Sequence, residues 1–221
     1  MNSQIRVALT GAHGTGKTHI VSRLKSWLQS EGYSVATVES PTRYVKSLGY
    51  QNNETTGWET QLFSAIFRVE RQKIAQGALD RFPQSAPEVV LADRCLNDEL
   101  AYNSVSIRRL LADPRYVIGS EKRLVEADDI TAELWMKDVG AYWDVVCYKP
   151  RHPFYPPEDD GDRSASLKFQ KDVDYAMKYR LDQYSVPHQT LHPDRNLAFR
   201  QMKSLVQDLL RSKVGAVTKV A

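Results

Sequence analysis

The sequence predicts an α/β fold, a parallel β-sheet with helices packed on both faces. Three observations carry the prediction. Short apolar runs that read as strands alternate with longer stretches in which apolar residues recur at helical spacing. One run, Val89-Val90-Leu91-Ala92, lacks polar alternation, as a strand covered on both faces requires. The first run, Ile5 to Thr10, passes straight into a glycine-rich loop, Gly11-Ala12-His13-Gly14-Thr15-Gly16-Lys17-Thr18, which opens a helix.

Each element follows in order. After the first strand and its loop, a helix is expected over 17–31, with Ile20, Leu24, Trp27 and Leu28 inward and Gly32 as its stop. Residues 33–38 read as a second strand and 46–57 as polar loop. A long amphipathic helix is expected over 58–79, with Leu62, Ile66, Val69, Ile74 and Leu79 as its inner face. Pro83 and Pro87 interrupt the chain before the 89–92 strand, which Asp93 ends. Residues 96–139 are helical in pattern, broken near Pro114. Because 103–140 is long and polar, it is expected to form a helical cap insertion. A strand is expected within 142–148, a proline- and acid-rich lid over 151–166, and a helix over 167–184. A short strand at 188–191 and a helix over 195–211 complete the order. The tail, 213–221, is small, basic and aperiodic and is expected to fray. The length of 221 residues suits one domain over 1–221, with cap and lid as its insertions.

Composition excludes several classes. Hydrophobic residues make up 42% and charged residues 26%, ordinary for a globular chain. No apolar run reaches the roughly 18 residues of a membrane span, and the start does not read as a signal peptide, so a cytoplasmic protein with no membrane partner is expected. Cys95 and Cys147 read as small buried hydrophobes rather than a disulfide framework. The five histidines show no metal-ligand spacing with them, so no structural zinc is expected. A net charge of +3 accommodates a nucleotide without demanding nucleic acid.

The loop matches G-x-x-x-x-G-K-[ST], the P-loop signature, so the fold is expected to be that of the P-loop NTPases. Gly11, Gly14 and Gly16 let the backbone N–H groups of the loop, including those of His13 and Thr15, turn inward as an anion nest at a helix N-terminus. Lys17 then reaches the β- and γ-phosphates of ATP, and the Thr18 hydroxyl ligates Mg²⁺. The His13 side chain occupies a variable position of the motif and is expected to be merely tolerated.

Three further groups sit where ligands bind in an open α/β sheet, beyond the carboxyl ends of the strands. Asp93 is a candidate to hold Mg²⁺ or to accept the proton of an attacking hydroxyl, with a helix N-cap as the plain alternative. Arg94 suits a phosphate or carboxylate clamp, or a structural ion pair. Glu39 and Arg43 follow the second strand and suit the acceptor side, unless Glu39-Ser40-Pro41 only starts a helix. In the lid, Glu158-Asp159-Asp160-Gly161-Asp162-Arg163 offers Arg163 as the group that closes on the phosphates, with a solvated acidic loop as the alternative. Arg68, Arg71 and Lys73 on the 58–79 helix read equally as pocket lining or as a solvated basic face.

Taken together, the P-loop, Asp93-Arg94-Cys95-Leu96-Asn97-Asp98-Glu99-Leu100-Ala101-Tyr102, Trp143-Asp144-Val145-Val146 and Asp160-Gly161-Asp162-Arg163 resemble the nicotinamide riboside kinase-like AAA-type P-loop family, related to deoxynucleoside and thymidylate kinases. That family shows D-R-x-x-x-D-x-x-A-Y after its third strand and D-G-x-R in its lid. The resemblance implies an ATP-dependent kinase in which Asp93 is the catalytic or Mg²⁺-positioning carboxylate and Arg163 the lid arginine. Glu39, Arg43, Arg94 and Asp98 are the residues expected to bind the substrate. One departure stands out. Relatives have Pro-Glu-x-x-Arg after the second strand; here Arg43 fits, but Ser40 stands where the glutamate belongs and Glu39 lies one position early.

Three activities fit these residues. The first is phosphoryl transfer from ATP to a hydroxyl of a nucleoside or nucleotide-like molecule. The second is a kinase acting on nucleic acid, for which Arg108, Arg109, Arg115, Lys122 and Arg123 offer a phosphate track, though Asp113, Glu121, Glu126, Asp128 and Asp129 interrupt it. The third is an acceptor-free ATPase or switch, which would need an arginine finger supplied in trans or a water-positioning Gln or Glu after the Asp93 strand, where Cys95 and Leu96 follow Arg94 instead.

Overall fold

In the computed structural model, which describes residues 4–50, 58–77, 86–112, 121–154 and 166–217, the strands are β1 (Ile5–Thr10), β2 (Val35–Val38), β3 (Val89–Asp93), β4 (Val145–Tyr148) and β5 (His188–Thr190). They pair in the order β2-β3-β1-β4-β5, and every pairing is parallel. The helices are α1 (Lys17–Ser30), α2 (Thr42–Ser47), α3 (Trp58–Ala75), α4 (Leu96–Leu111), α5 (Glu121–Tyr142), α6 (Leu167–Gln183) and α7 (Arg195–Val217).

Side chains along each strand alternate between the two faces. Ile5, Val7, Leu9, Val89, Leu91 and Cys147 point to one face and pack with Ile20, Val21, Leu24 and Leu28 of α1 and Ala198, Met202 and Val206 of α7. Ala8, Val90, Ala92, Val146 and Tyr148 point to the other and pack with α3, α4, α5 and α6. Handedness explains this split. The β1-to-β2 connection runs one way along the sheet, and the connections into β3, β4 and β5 run the other. Right-handed crossovers therefore place α1 on one face and α3 to α6 on the opposite one. The chain leaves neighbouring β1 and β3 toward opposite faces, which opens a crevice beyond their carboxyl ends.

The expected element order is present, with corrections. Lys46 and Ser47, expected in loop, belong to α2. α7 runs to Val217, so part of the tail expected to fray is helical. The inner face of α3 differs most. Ile66 is 52% exposed and Ile74 44%, whereas Thr60, Gln61, Ser64, Arg68 and Gln72 are buried beside Ala65. Leu79 lies outside the described residues. Within 103–140, Val105, Met136 and Val139 belong to the core beneath the sheet. There Arg180 of α6 pairs with Asp128 at 2.6 Å, and Asn103 and Ser104 donate to the same carboxylate. This buried network ties α4, α5 and α6 together. Cys95 and Cys147 are buried free thiols, as expected, and burial pushes Cys147 up to about 12. Among the described residues, no helix is long and apolar enough to cross a membrane.

Candidate active site

The P-loop links β1 to α1 beyond the carboxyl ends of β1 and β3. Gly11, Gly14 and Gly16 all adopt positive φ, at 155°, 70° and 84°, a region that side-chain-bearing residues rarely enter. At Gly11 space matters as well: a Cβ there would lie 2.3 Å from the Lys149 carbonyl oxygen at the end of β4. Gly16 in the left-handed conformation turns the chain into α1. Lys17 is buried and donates from Nζ to the carbonyls of Gly11, at 2.5 Å, and Ala12, at 2.7 Å. Its ammonium is therefore already held over the loop's concave side. Thr15 braces the loop through its hydroxyl, donating to the Ala12 carbonyl at 2.8 Å.

Thr18 and Asp93, the two residues expected at a metal, are in contact: the Thr18 hydroxyl donates to Asp93 Oδ2. The register of β1 with β3 sets this meeting by pairing Leu9 with Asp93. Asp93 is not the cap of α4, because that helix begins at Leu96 and Asp98 Oδ2 accepts from the Cys95 N–H at 3.0 Å. The other oxygen, Asp93 Oδ1, is buried with no hydrogen-bond partner among the described residues, a state with a desolvation cost unless a cation or donor satisfies it. A hydroxyl and a carboxylate are hard oxygen donors that suit Mg²⁺ completed by phosphate oxygens and water. The donor set thus fits the ion. Among the described residues, no group of three His, Cys, Asp or Glu side chains forms a self-sufficient metal cage.

Arg94 follows Asp93 with φ of 108°, left-handed for a residue with a side chain. Its N–H still bonds the Leu9 carbonyl at 2.9 Å, so the strained residue is pinned at the strand end. Burial works against its positive charge, but Tyr102, Asp98, Asp93 and Glu99 around it outweigh that and raise its pKa. Asp98 is fully buried, and burial raises its carboxyl, with Lys17 and Arg94 pulling the other way. Glu39 is 76% exposed at its side chain and lies 3.6 Å from Arg71 of α3. Of Arg43 only the backbone, within α2, is described, while Arg163 and most of the lid lie outside the described residues, as do Arg115 and the side chains of Lys122 and Arg123 in the candidate phosphate track.

Sequence reading left one member of this site open and missed others. Arg68, one of two open readings, is fully buried and forms a pair with Glu99 at 2.7 Å, while its Nη1 reaches the Arg94 carbonyl at 3.4 Å. It carries the polar inner face of α3 up to the crevice. Lys149 is buried beneath the loop and donates to the carbonyls of Pro193, at 2.5 Å, and Pro150, at 3.0 Å; burial pulls it down to about 8. The His13 ring and backbone are held by Tyr102, Phe169 and Gln170. The only signal for these in the sequence was that Tyr102 ends a motif.

Residues 6–195 match the model of the AAA domain family. The chain belongs to that family. Its relatives include a probable thymidylate kinase of Methanosphaera stadtmanae, 24% identical over 55% of this chain and 63% of that protein. The chain therefore spans slightly less than two thirds of that relative. A probable thymidylate kinase of Methanobrevibacter smithii is 24% identical over 63% of this chain and 80% of its own length. The structure is also similar to that of deoxyadenosine kinase from M. mycoides with bound dATP, with a TM-score of 0.53 and 16% identity over 94% of this chain and 100% of that one. This likeness confirms the P-loop NTPase fold.

Proposed function

We propose that this chain is a kinase that transfers the γ-phosphoryl group of ATP to a hydroxyl of a nucleoside or nucleotide-like molecule. The observation that carries the reading is the convergence of Lys17, Thr18, Asp93 and the strained Arg94 on one crevice, with a buried Asp93 oxygen that has no hydrogen-bond partner among the described residues. The names of the two thymidylate kinase relatives and of the deoxyadenosine kinase support the acceptor class.

In this reading the loop N–H groups and Lys17 bind the β- and γ-phosphates, and Lys17 exchanges its bonds to the Gly11 and Ala12 carbonyls for phosphate oxygens. Thr18 and Asp93 would hold Mg²⁺, which offsets phosphate charge when bound. Asp93 would also receive the proton of the acceptor hydroxyl. Arg94, kept charged by its acidic surroundings, orients the acceptor or the transferring group, and Arg163 closes from the lid. Positioning and charge stabilisation supply most of the rate in such transfers. The buried polar face of α3, with Gln61, Ser64 and the Arg68–Glu99 pair, leads from the crevice and is the proposed acceptor wall, with Glu39, Arg43 and Asp98 at its edges.

The test is a panel of nucleosides, nucleotides and oligonucleotides incubated with γ-labelled ATP beside an acceptor-free control. Label on a nucleoside or nucleotide supports the reading, and label on an oligonucleotide moves it to nucleic acid. Label released only as inorganic phosphate, equally with and without acceptors, overturns it in favour of an ATPase.

A further inference from the structure

Three glycines at positive φ make the P-loop a segment whose shape must be held from outside. The hold is concentrated on His13. Its N–H donates to the Tyr102 hydroxyl at 3.2 Å, and its Nδ1 lies 2.9 Å from the same oxygen. Its carbonyl accepts from Gln170 Nε2 at 2.8 Å. Its ring lies 5.6 Å from that of Phe169. The N–H of His13 is thus turned toward α4, so the anion nest is formed by the remaining N–H groups of the loop. Tyr102 is itself immobilised. Arg94 lies over its ring at 5.4 Å, and Phe169 flanks it at 5.9 Å. Its hydroxyl reaches the loop from a fixed ring, so it presets the loop rather than following it.

We infer that Tyr102 is a positioning residue for nucleotide binding: its hydroxyl, through His13, holds the P-loop in its phosphate-binding shape. The inference rests on the proposed nucleotide site but not on the identity of any acceptor. It gives the final residue of the Asp93-to-Tyr102 motif a task, and it gives His13, a variable position of the loop signature, a specific partner.

The experiment measures equilibrium binding of a fluorescent ATP analogue with Mg²⁺, and denaturant melts, on the full chain. Tyr102→Phe keeps the ring beneath Arg94 and removes the hydroxyl. Its dissociation constant is expected to rise about tenfold, the scale of one or two lost hydrogen bonds. In a His13→Ala background, where one of the two bonds is already gone, the same change is expected to cost about threefold. Gln170→Leu, which frees the His13 carbonyl, is expected to weaken binding in the same direction. A residue that served only stability would shift the melt and leave the affinity of the folded protein unchanged. Tyr102→Phe binding within twofold of wild type, or an equal cost in both backgrounds, overturns the inference. A wild-type chain that fails to bind the analogue overturns the nucleotide reading as well, whereas one that binds it but transfers no phosphate overturns only the kinase reading.

Discussion

Gly11→Ala places one methyl group where the structure has no room for it. The new Cβ would sit 2.3 Å from the Lys149 carbonyl oxygen, about an ångström inside ordinary contact, and 3.2 Å from its carbonyl carbon, a few tenths inside. The obstacle is backbone and cannot swing aside. Lys149 N–H bonds the Thr10 carbonyl at 2.8 Å, and its side chain is tied to Pro193 and Pro150. Relief must come from shifting the P-loop or the end of β4. Overpacking of this kind costs about 1–3 kcal/mol, and the φ of 155° adds a further strain of about 1 kcal/mol. A total near 3 kcal/mol lowers the melting temperature of a chain this size by roughly 6–12 °C. Gly32→Ala is the control, because that residue also has positive φ, 91°, but nothing lies within 4 Å of its would-be Cβ. It should lose only the backbone cost, about 1 kcal/mol. The assay is thermal unfolding of both variants, paired with binding of the fluorescent ATP analogue. Gly11→Ala is expected to melt lower than Gly32→Ala and to lose nucleotide affinity, which Gly32→Ala keeps. Equal melting of the two variants, or a Gly11→Ala protein that binds nucleotide like wild type, would refute the steric reasoning.

Three other perturbations have defined outcomes. Arg68→Met leaves the buried Glu99 carboxylate without its partner and should cost about 3–5 kcal/mol in denaturant melts, while Arg68→Met with Glu99→Leu should cost markedly less than the sum of the two single changes. Asp93→Asn keeps the contact with Thr18 but removes the charge, so turnover should fall by a factor of about a hundred or more with a melting temperature close to wild type; near-full activity would show that Asp93 is neither base nor metal holder. Lys149 titrates near 8 in the folded chain against an ordinary 10.5, so between those values the unfolded chain binds the extra proton. Wild-type stability should therefore rise relative to Lys149→Met as pH is raised from about 8 to 10.5, and the two pH profiles should run parallel below that window.

Local chemistry made much of this protein legible from its sequence. The apolar runs of β1, β3 and β4, the row Ile20, Leu24 and Leu28 of α1, and the glycines of the loop each depend on near neighbours in the chain, through strand alternation, helical spacing or φ. The same locality explains the failure at α3. Ile66 and Ile74 suggest an inner face by spacing alone, but the helix turns Gln61, Ser64 and Arg68 inward because Glu99 and the Arg94 carbonyl on another element satisfy Arg68. Asp93 was readable as a strand-end carboxylate, yet its difference from a simple helix cap depends on where α4 begins, with Cys95 as the cap and Asp98 accepting from the Cys95 N–H.

The sequence by itself determined that a phosphate-binding loop follows the first strand of a parallel sheet, because glycine conformation and hydrophobic periodicity are properties of short segments. Tertiary structure decided which distant side chains complete that loop. Thr18 meets Asp93 across 75 positions, His13 meets Tyr102 across 89, and Gln170 meets His13 across 157. Such meetings are set by strand order and crossover handedness, which bring the ends of β1 and β3 together, and by the helices that pack beneath them. No local pattern encodes those distances, so the partners of the loop became visible only when the sheet was assembled.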